Sequence, residues 1–160
     1  MKDTKKLTVL ALLTAAAMIL SYVESLLPSP GIPGVKLGLA NIAVIFALYR
    51  LGTGPAFAVS LVRVAMVSLL FGSLGALAYS LAGAVLSLAV MSLLRRWDRF
   101  STVGVSVAGG VSHNLGQILM AMWMLETSRL IWYLPALILS GLGGGILVGL
   151  CGAQLVKRVP

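Results

Sequence analysis

Uncharged apolar residues fill six stretches of this chain, 7–27, 37–49, 55–71, 76–94, 103–125 and 131–156, and between them Pro, Gly and charged residues collect. At about 1.5 Å per helical residue, the first, fourth, fifth and sixth stretches reach about 28 Å or more, enough to cross a hydrocarbon core of about 30 Å. The second, at about 20 Å, is too short alone and needs help from the segment before it, where Pro28, Pro30, Gly31, Pro33 and Gly34 fall. Part of that segment is expected to dip into the membrane, where non-helical backbone is tolerated only if protein or a water-filled cavity satisfies it. The pattern predicts an all-α integral membrane protein, a single transmembrane domain over 1–160 with six transmembrane helices. Lys2, Lys5 and Lys6 ahead of Ala15, Ala16 and Ala17 also fit a cleaved signal peptide. The apolar run continues to Leu27, however, and a retained first helix is preferred.

Composition agrees with that pattern and closes off other classes. The chain of 160 residues is 59% hydrophobic and 10% charged, with a mean hydropathy of +1.05. A soluble domain carries about 25% charge, so a soluble globule is excluded. The net charge of +8 would point to nucleic acid in a soluble protein, but here it sorts by side. With the N-terminus in the cytoplasm, Lys2, Lys5, Lys6, Arg50, Arg95, Arg96, Arg99, Lys157 and Arg158 lie inside, Lys36 and Arg129 outside, and Arg63 within the membrane. Cytoplasmic loops collect Lys and Arg, so this bias predicts a multi-pass plasma-membrane protein with both termini cytoplasmic, and it explains the basic chain without a nucleic-acid partner.

Several chemistries lack their residues. Cys151 is the single cysteine, which leaves no intrachain disulfide and no cysteine-based metal site. No G-x-x-x-x-G-K-[ST] stretch is present, so the chain alone cannot hold nucleotide phosphates in the P-loop manner, and no H-E-x-x-H is present either. The two aspartates, Asp3 and Asp98, are far apart in the sequence, whereas Mg²⁺-dependent diphosphate chemistry needs clustered carboxylates. No Ser or His has a visible activating pair. Neither an enzyme nor a bound metal or cofactor is expected.

Polar side chains inside spans are costly and need a reason. Arg63 sits mid-way along the third stretch, Glu24 in the outer part of the first, and Asn41 in the second, near Lys36; His113, Asn114 and Gln117 occupy the middle of the fifth. Residues 113 and 117 are four apart and share a helix face. A structural reading is open for each: Arg63 paired with Glu24, Asn41 as a cap, His113 and Gln117 bridging helices. As a group on the outer side of the midplane they suggest a pocket for an anionic or strongly polar ligand. Gly141, Gly145 and Gly149, followed by Ala153, form a smooth face for close helix contact, and Ala11 with Ala15 forms a smaller one.

The run Gly31-Ile32-Pro33-Gly34-Val35-Lys36-Leu37-Gly38-Leu39-Ala40-Asn41, preceded by Glu24-Ser25, Pro28 and Pro30, resembles the signature of the Gx transporter family, often labelled heptaprenyl diphosphate synthase component I. The run Gly109-Gly110-Val111-Ser112-His113-Asn114-Leu115-Gly116-Gln117 resembles its second signature. That family is similar in turn to the substrate-binding S-components of energy-coupling factor (ECF) transporters, small six-helix membrane proteins. The resemblance implies an outward-facing pocket lined by Glu24, Lys36, Asn41, Arg63, His113, Asn114 and Gln117, with the loop from Pro28 to Lys36 as its gate. It also implies assembly with a transmembrane coupling subunit and two ATPases, and delivery of a small micronutrient or precursor by toppling in the membrane. Ala11 and Ala15 match the pattern by which helix 1 of S-components packs on the coupling subunit. The enzyme label implies, at most, an accessory role beside a separate prenyl synthase, with an isoprenoid or quinone-related precursor as one candidate ligand.

Overall fold

A computed structural model of the protein describes residues 3–27 and 37–159. Its helices are α1 (Asp3–Leu26), α2 (Asn41–Arg50), α3 (Thr53–Phe71), α4 (Leu74–Arg96), α5 (Thr102–Met124) and α6 (Leu134–Arg158), with a 3-10 turn over Arg129–Tyr133 ahead of α6. Helix starts follow local capping chemistry. The Ser73 hydroxyl accepts from the Ala76 N–H at 3.2 Å and the Ser101 hydroxyl from the Gly104 N–H at 3.1 Å, each satisfying one of the free donors at a helix N-terminus.

Three boundaries differ from expectation. The first helix already begins at Asp3, ahead of residue 7, and takes in Lys5 and Lys6. The second helix begins at Asn41, not at 37, because Gly38 adopts φ +75 and a turn follows it; α2 is therefore only 10 residues long, about 15 Å. The sixth stretch opens as a 3-10 turn and becomes α-helical only at Leu134, with Pro135 in the first turn, where its missing N–H costs nothing.

Helices α2, α3, α4, α5 and α6 close into a ring, each packed on the next and α6 back on α2, while α1 lies outside against α3 and α2. The shortest helix is the most enclosed. Ala43, Val44, Ile45, Ala47 and Leu48 of α2 are all buried and belong to one apolar core with Ala17, Ala56, Val59, Leu88 and Val105. A helix too short to span is thus held by its neighbours rather than by lipid.

Small residues set the closest contacts. A Cβ on Gly145 would fall 2.6 Å from the Val107 Cα, one on Gly149 2.7 Å from the Val103 Cα, and one on Gly110 2.5 Å from the Gly141 carbonyl oxygen. These pairs run in opposite directions, so α5 and α6 pack antiparallel, backbone on backbone. The glycine face foreseen in the sixth stretch therefore has α5 as its partner. The adjoining face of α6 receives α2 and the residues just before it, with Gly152 against Ile45 and Gly144 against the Leu37 carbonyl.

Arginines fasten one end of the bundle. Arg50 donates to the carbonyls of Val156, at 2.7 Å, and Val159, and Arg95 donates to the Tyr49 carbonyl at 3.2 Å while stacking over its ring at 5.3 Å. Basic side chains at the last turns of α2, α4 and α6 also complement the negative ends of those helices.

The outward surface is apolar, with Leu7, Leu12, Ile19, Leu69, Leu74 and Leu139 among its exposed residues. Four helical segments, Thr4–Leu26, Thr53–Phe71, Leu74–Arg96 and Arg129–Arg158, are long and apolar enough to cross a membrane. Helix α5 has the length, 23 residues, but His113, Asn114 and Gln117 lower its hydropathy. It sits between α4 and α6.

A polar cavity at the centre of the helix ring

A cavity of about 80 Å³ lies inside the ring, and all six helices reach it. Glu24 of α1, Asn41 of α2, Arg63 of α3, and His113, Asn114 and Gln117 of α5 all line it. The structure therefore brings together six of the seven residues singled out from sequence; Lys36 and the loop from Pro28 to Lys36 lie outside the described residues.

The acid and the base of the cavity each turn to a neighbour. The Glu24 carboxylate accepts from the Gly38 N–H at 2.5 Å, a bond made possible by the left-handed turn at Gly38. The Arg63 Nη2 donates to Asn41 Oδ1 at 3.3 Å, while its Nε is buried without a hydrogen-bond partner. Glu24 acts on Arg63 through space as the nearby negative charge. Gly38 is thus the hinge of this arrangement. We expect Gly38→Ala to cost about 1 kcal/mol through its positive φ, because the new Cβ also lies 3.3 Å from Asn41 Nδ2. A thermal unfolding comparison in detergent checks this.

Asn114 is buried and serves the scaffold as well as the wall: its Nδ2 donates to the Leu137 carbonyl at 2.7 Å, tying α5 to the first turn of α6. His113 and Gln117 lie against Gly83 of α4, where a Cβ would fall 2.7 Å from the His113 carbonyl, 3.1 Å from its ring and 2.8 Å from Gln117 Cγ. Glycine at 83 is what allows these two side chains to stand side by side next to α4.

Sequence reasoning passed over the serines. Ser80 and Ser87 of α4, Ser106 of α5 and Ser140 of α6 also line the cavity. A lone serine in an apolar helix usually satisfies itself on the preceding turn, as Ser112 does on the Ala108 carbonyl at 2.6 Å, so each is weak alone. Their spacing is the usable signal. Residues 106, 110, 113 and 117 recur at four, three and four, one face of α5, and 80 and 87 are two turns apart on α4.

Ala11 and Ala15 are exposed on α1, whose inward face uses Ala17 with Leu10, Leu13 and Leu20 instead. They take no part in core packing within the chain.

Chemically, the cavity offers one guanidinium, one carboxylate, an imidazole, amides and hydroxyls in a space well below the roughly 300 to 1,000 Å³ of pockets for drug-sized molecules. It suits a small polar group. Among the described residues no three His, Cys, Asp or Glu side chains come together as metal ligands would.

A family model described as heptaprenyl diphosphate synthase component I matches residues 13–155. No curated protein and no solved structure matches the chain.

Proposed function

The chain belongs to the heptaprenyl diphosphate synthase component I family, and from that footing we propose that it is a substrate-binding membrane subunit, of the S-component kind, serving an ECF-type importer. The observation that carries this reading is the Arg63 guanidinium in a polar cavity lined from all six helices, with Nε unsatisfied. Glu24 offsets the Arg63 charge through space, but the buried Nε donor has no acceptor, and a buried donor left unmade costs about 1 to 3 kcal/mol. An acceptor atom of a polar or anionic ligand would supply the missing partner. Glu24, Asn41, His113, Asn114 and Gln117 line the site in this reading, Lys36 is proposed as a further ligand-binding residue, and no catalytic role is assigned to any of them.

All six helices cross the membrane in this proposal, α2 together with the segment before it. The end bearing Arg50, Arg95, Arg96, Lys157 and Arg158 faces the cytoplasm, as basic loops do in the plasma membrane, with both chain termini on that side. The exposed Ala11 and Ala15 are then free to receive a coupling subunit, which would bring two ATPases. We expect Ala15→Trp or Ala11→Trp to block that assembly while ligand affinity changes by less than about twofold. Co-purification from native membranes reads the outcome, and normal assembly of both variants would remove the interface.

A second reading follows from the family description: an accessory membrane subunit of heptaprenyl diphosphate synthesis. The chain has only four acidic residues in all, too few and too scattered for the metal-holding carboxylates of a synthase, so chemistry would belong to a partner. The same purification separates the two. Recovery of ATPases and a coupling subunit supports the importer; stoichiometric recovery of a soluble prenyl synthase, with no ligand stabilising the isolated chain, supports the accessory subunit.

A further inference from the structure

The two charged residues of the central cavity also line a second polar space. A hollow of about 160 Å³ between α1, α3 and α4 shares Glu24, Arg63 and Ser80 with the central cavity and adds Ser21, Ser25 and Ser68. It follows α3 from Arg63 to Phe71, about 12 Å of helix, and so reaches the turn into α4. Hydroxyls on membrane helices usually bond back to their own backbone, as Thr14 does to the Leu10 carbonyl at 2.8 Å and Ser25 to the Tyr22 carbonyl at 2.6 Å. Ser21 does not. Its Oγ is buried without a hydrogen-bond partner, and so is Arg63 Nε, which leaves two donors on neighbouring helices of one hollow without an acceptor.

The charge of the walls restricts what can supply that acceptor. Besides the His113 imidazole, Glu24 and Arg63 are the titratable side chains among the described residues lining either space, and Glu24 offsets Arg63 through space. A simple anion on Arg63 would set two negative groups beside one positive in a site removed from water, where an uncompensated charge is costly. An uncharged ligand would forgo the stronger, charge-assisted hydrogen bonds. A ligand that brings its own cation escapes both penalties. A carboxylate accepts about four hydrogen bonds and the Gly38 N–H takes one of those of Glu24, so acceptor capacity remains for a cationic group.

We infer that the site binds a small zwitterion: its carboxylate accepts from Arg63 Nε and the Ser21 hydroxyl, and its ammonium group donates to Glu24. This assignment rests on the ligand-binding reading above and fixes the charge pattern of the substrate.

The test follows thermal unfolding of the full chain in phosphatidylglycerol nanodiscs, which hold no zwitterionic lipid, over concentration series of glycine, β-alanine and 4-aminobutyrate. Each is set beside its N-acetyl form, an anion, and its amide form, a cation. At least one zwitterion should bind about 10-fold or more tighter than both of its derivatives, the loss of one charged hydrogen bond, and Ser21→Ala should weaken it by a similar factor. Glu24→Gln keeps an acceptor for the Gly38 N–H and removes the negative charge. It should reverse the order, the N-acetyl form now binding tighter than the zwitterion, and should let acetate stabilise a chain that acetate leaves unchanged in its unaltered form. An N-acetyl form that binds the unaltered chain as tightly as its zwitterion would overturn the assignment, spare the polar-ligand reading and point to Lys36 as an extra cation. Binding by none of these compounds, with no effect of acetate on Glu24→Gln, would overturn both. Loss of zwitterion binding when phosphatidylethanolamine is added to the nanodiscs would overturn a free solute and give the site to a lipid head.

Discussion

Gly145→Leu is expected to abolish the folded protein, whereas Gly143→Leu, two residues earlier on the same helix, leaves its unfolding temperature unchanged or slightly raised. The two glycines face opposite environments. A Cβ at 145 would overlap the Val107 Cα at 2.6 Å and the Ser106 carbonyl at 3.0 Å, both backbone atoms of α5, while a Cβ at 143 meets nothing within 4 Å. Backbone cannot rotate out of the way as a side chain can, so α5 and α6 must separate. That would also part the seam at Gly110, Gly141 and Gly149 and pull Asn114 away from the Leu137 carbonyl. Overpacking alone costs about 1 to 3 kcal/mol; with the bridge and the seam lost as well, a total of about 4 kcal/mol or more is expected, in the range of the most damaging point substitutions. At 143 the replacement of glycine gains up to about 1 kcal/mol of helix propensity. Fluorescence-detected size-exclusion chromatography after heating, in one detergent, compares the two. Equal damage from both would show that the seam is not what holds these helices.

Arg63→Ala carries the second large effect, and its sign on stability is as informative as its effect on binding. A charged hydrogen bond to a ligand contributes about 1.5 to 3 kcal/mol, so ligand affinity should fall roughly 10- to 150-fold. Stability without ligand should change by less than about 1 kcal/mol, because the variant loses one bond to Asn41 of 3.3 Å and is relieved of an incompletely satisfied buried cation. Were Arg63 instead the essential counter-ion of Glu24, its removal would strand a carboxylate and cost about 3 to 5 kcal/mol with little change in affinity. Titration and thermal unfolding of the same preparation separate the two results.

Much of the architecture was legible because lipid imposes length and apolarity on whole segments. Helices α3, α4 and α5 begin and end within two residues of the apolar stretches that announced them. The start of α2 was not, since nothing in the letters Leu37-Gly38-Leu39 distinguishes a glycine in the left-handed region from one inside a helix. The site was half legible. Arg63, Glu24 and His113 stand out wherever they occur in an apolar run, and rarity alone finds them. The unused donor of Arg63, the turn of Glu24 toward Gly38 and the dual duty of Asn114 depend on which helices face one another, which period and composition do not encode. The partner of each glycine is hidden for the same reason: spacing marks a smooth face and says nothing of what lies on it.

The place of α5 between α4 and α6 also bears on how the protein is made. Helices α1, α3 and α4 can each leave the insertion machinery for lipid on their own hydropathy, but α5 carries an imidazole and two amides at mid-length, and these are expensive to leave facing hydrocarbon. Gly83 of α4 receives His113 and Gln117, but Asn114 has its acceptor at the Leu137 carbonyl of α6, beside the glycine face that seats α5. Asn114 therefore stays without its acceptor until α6 is in place, and α5 and α6 close the ring as a pair around the turn at Arg129–Tyr133.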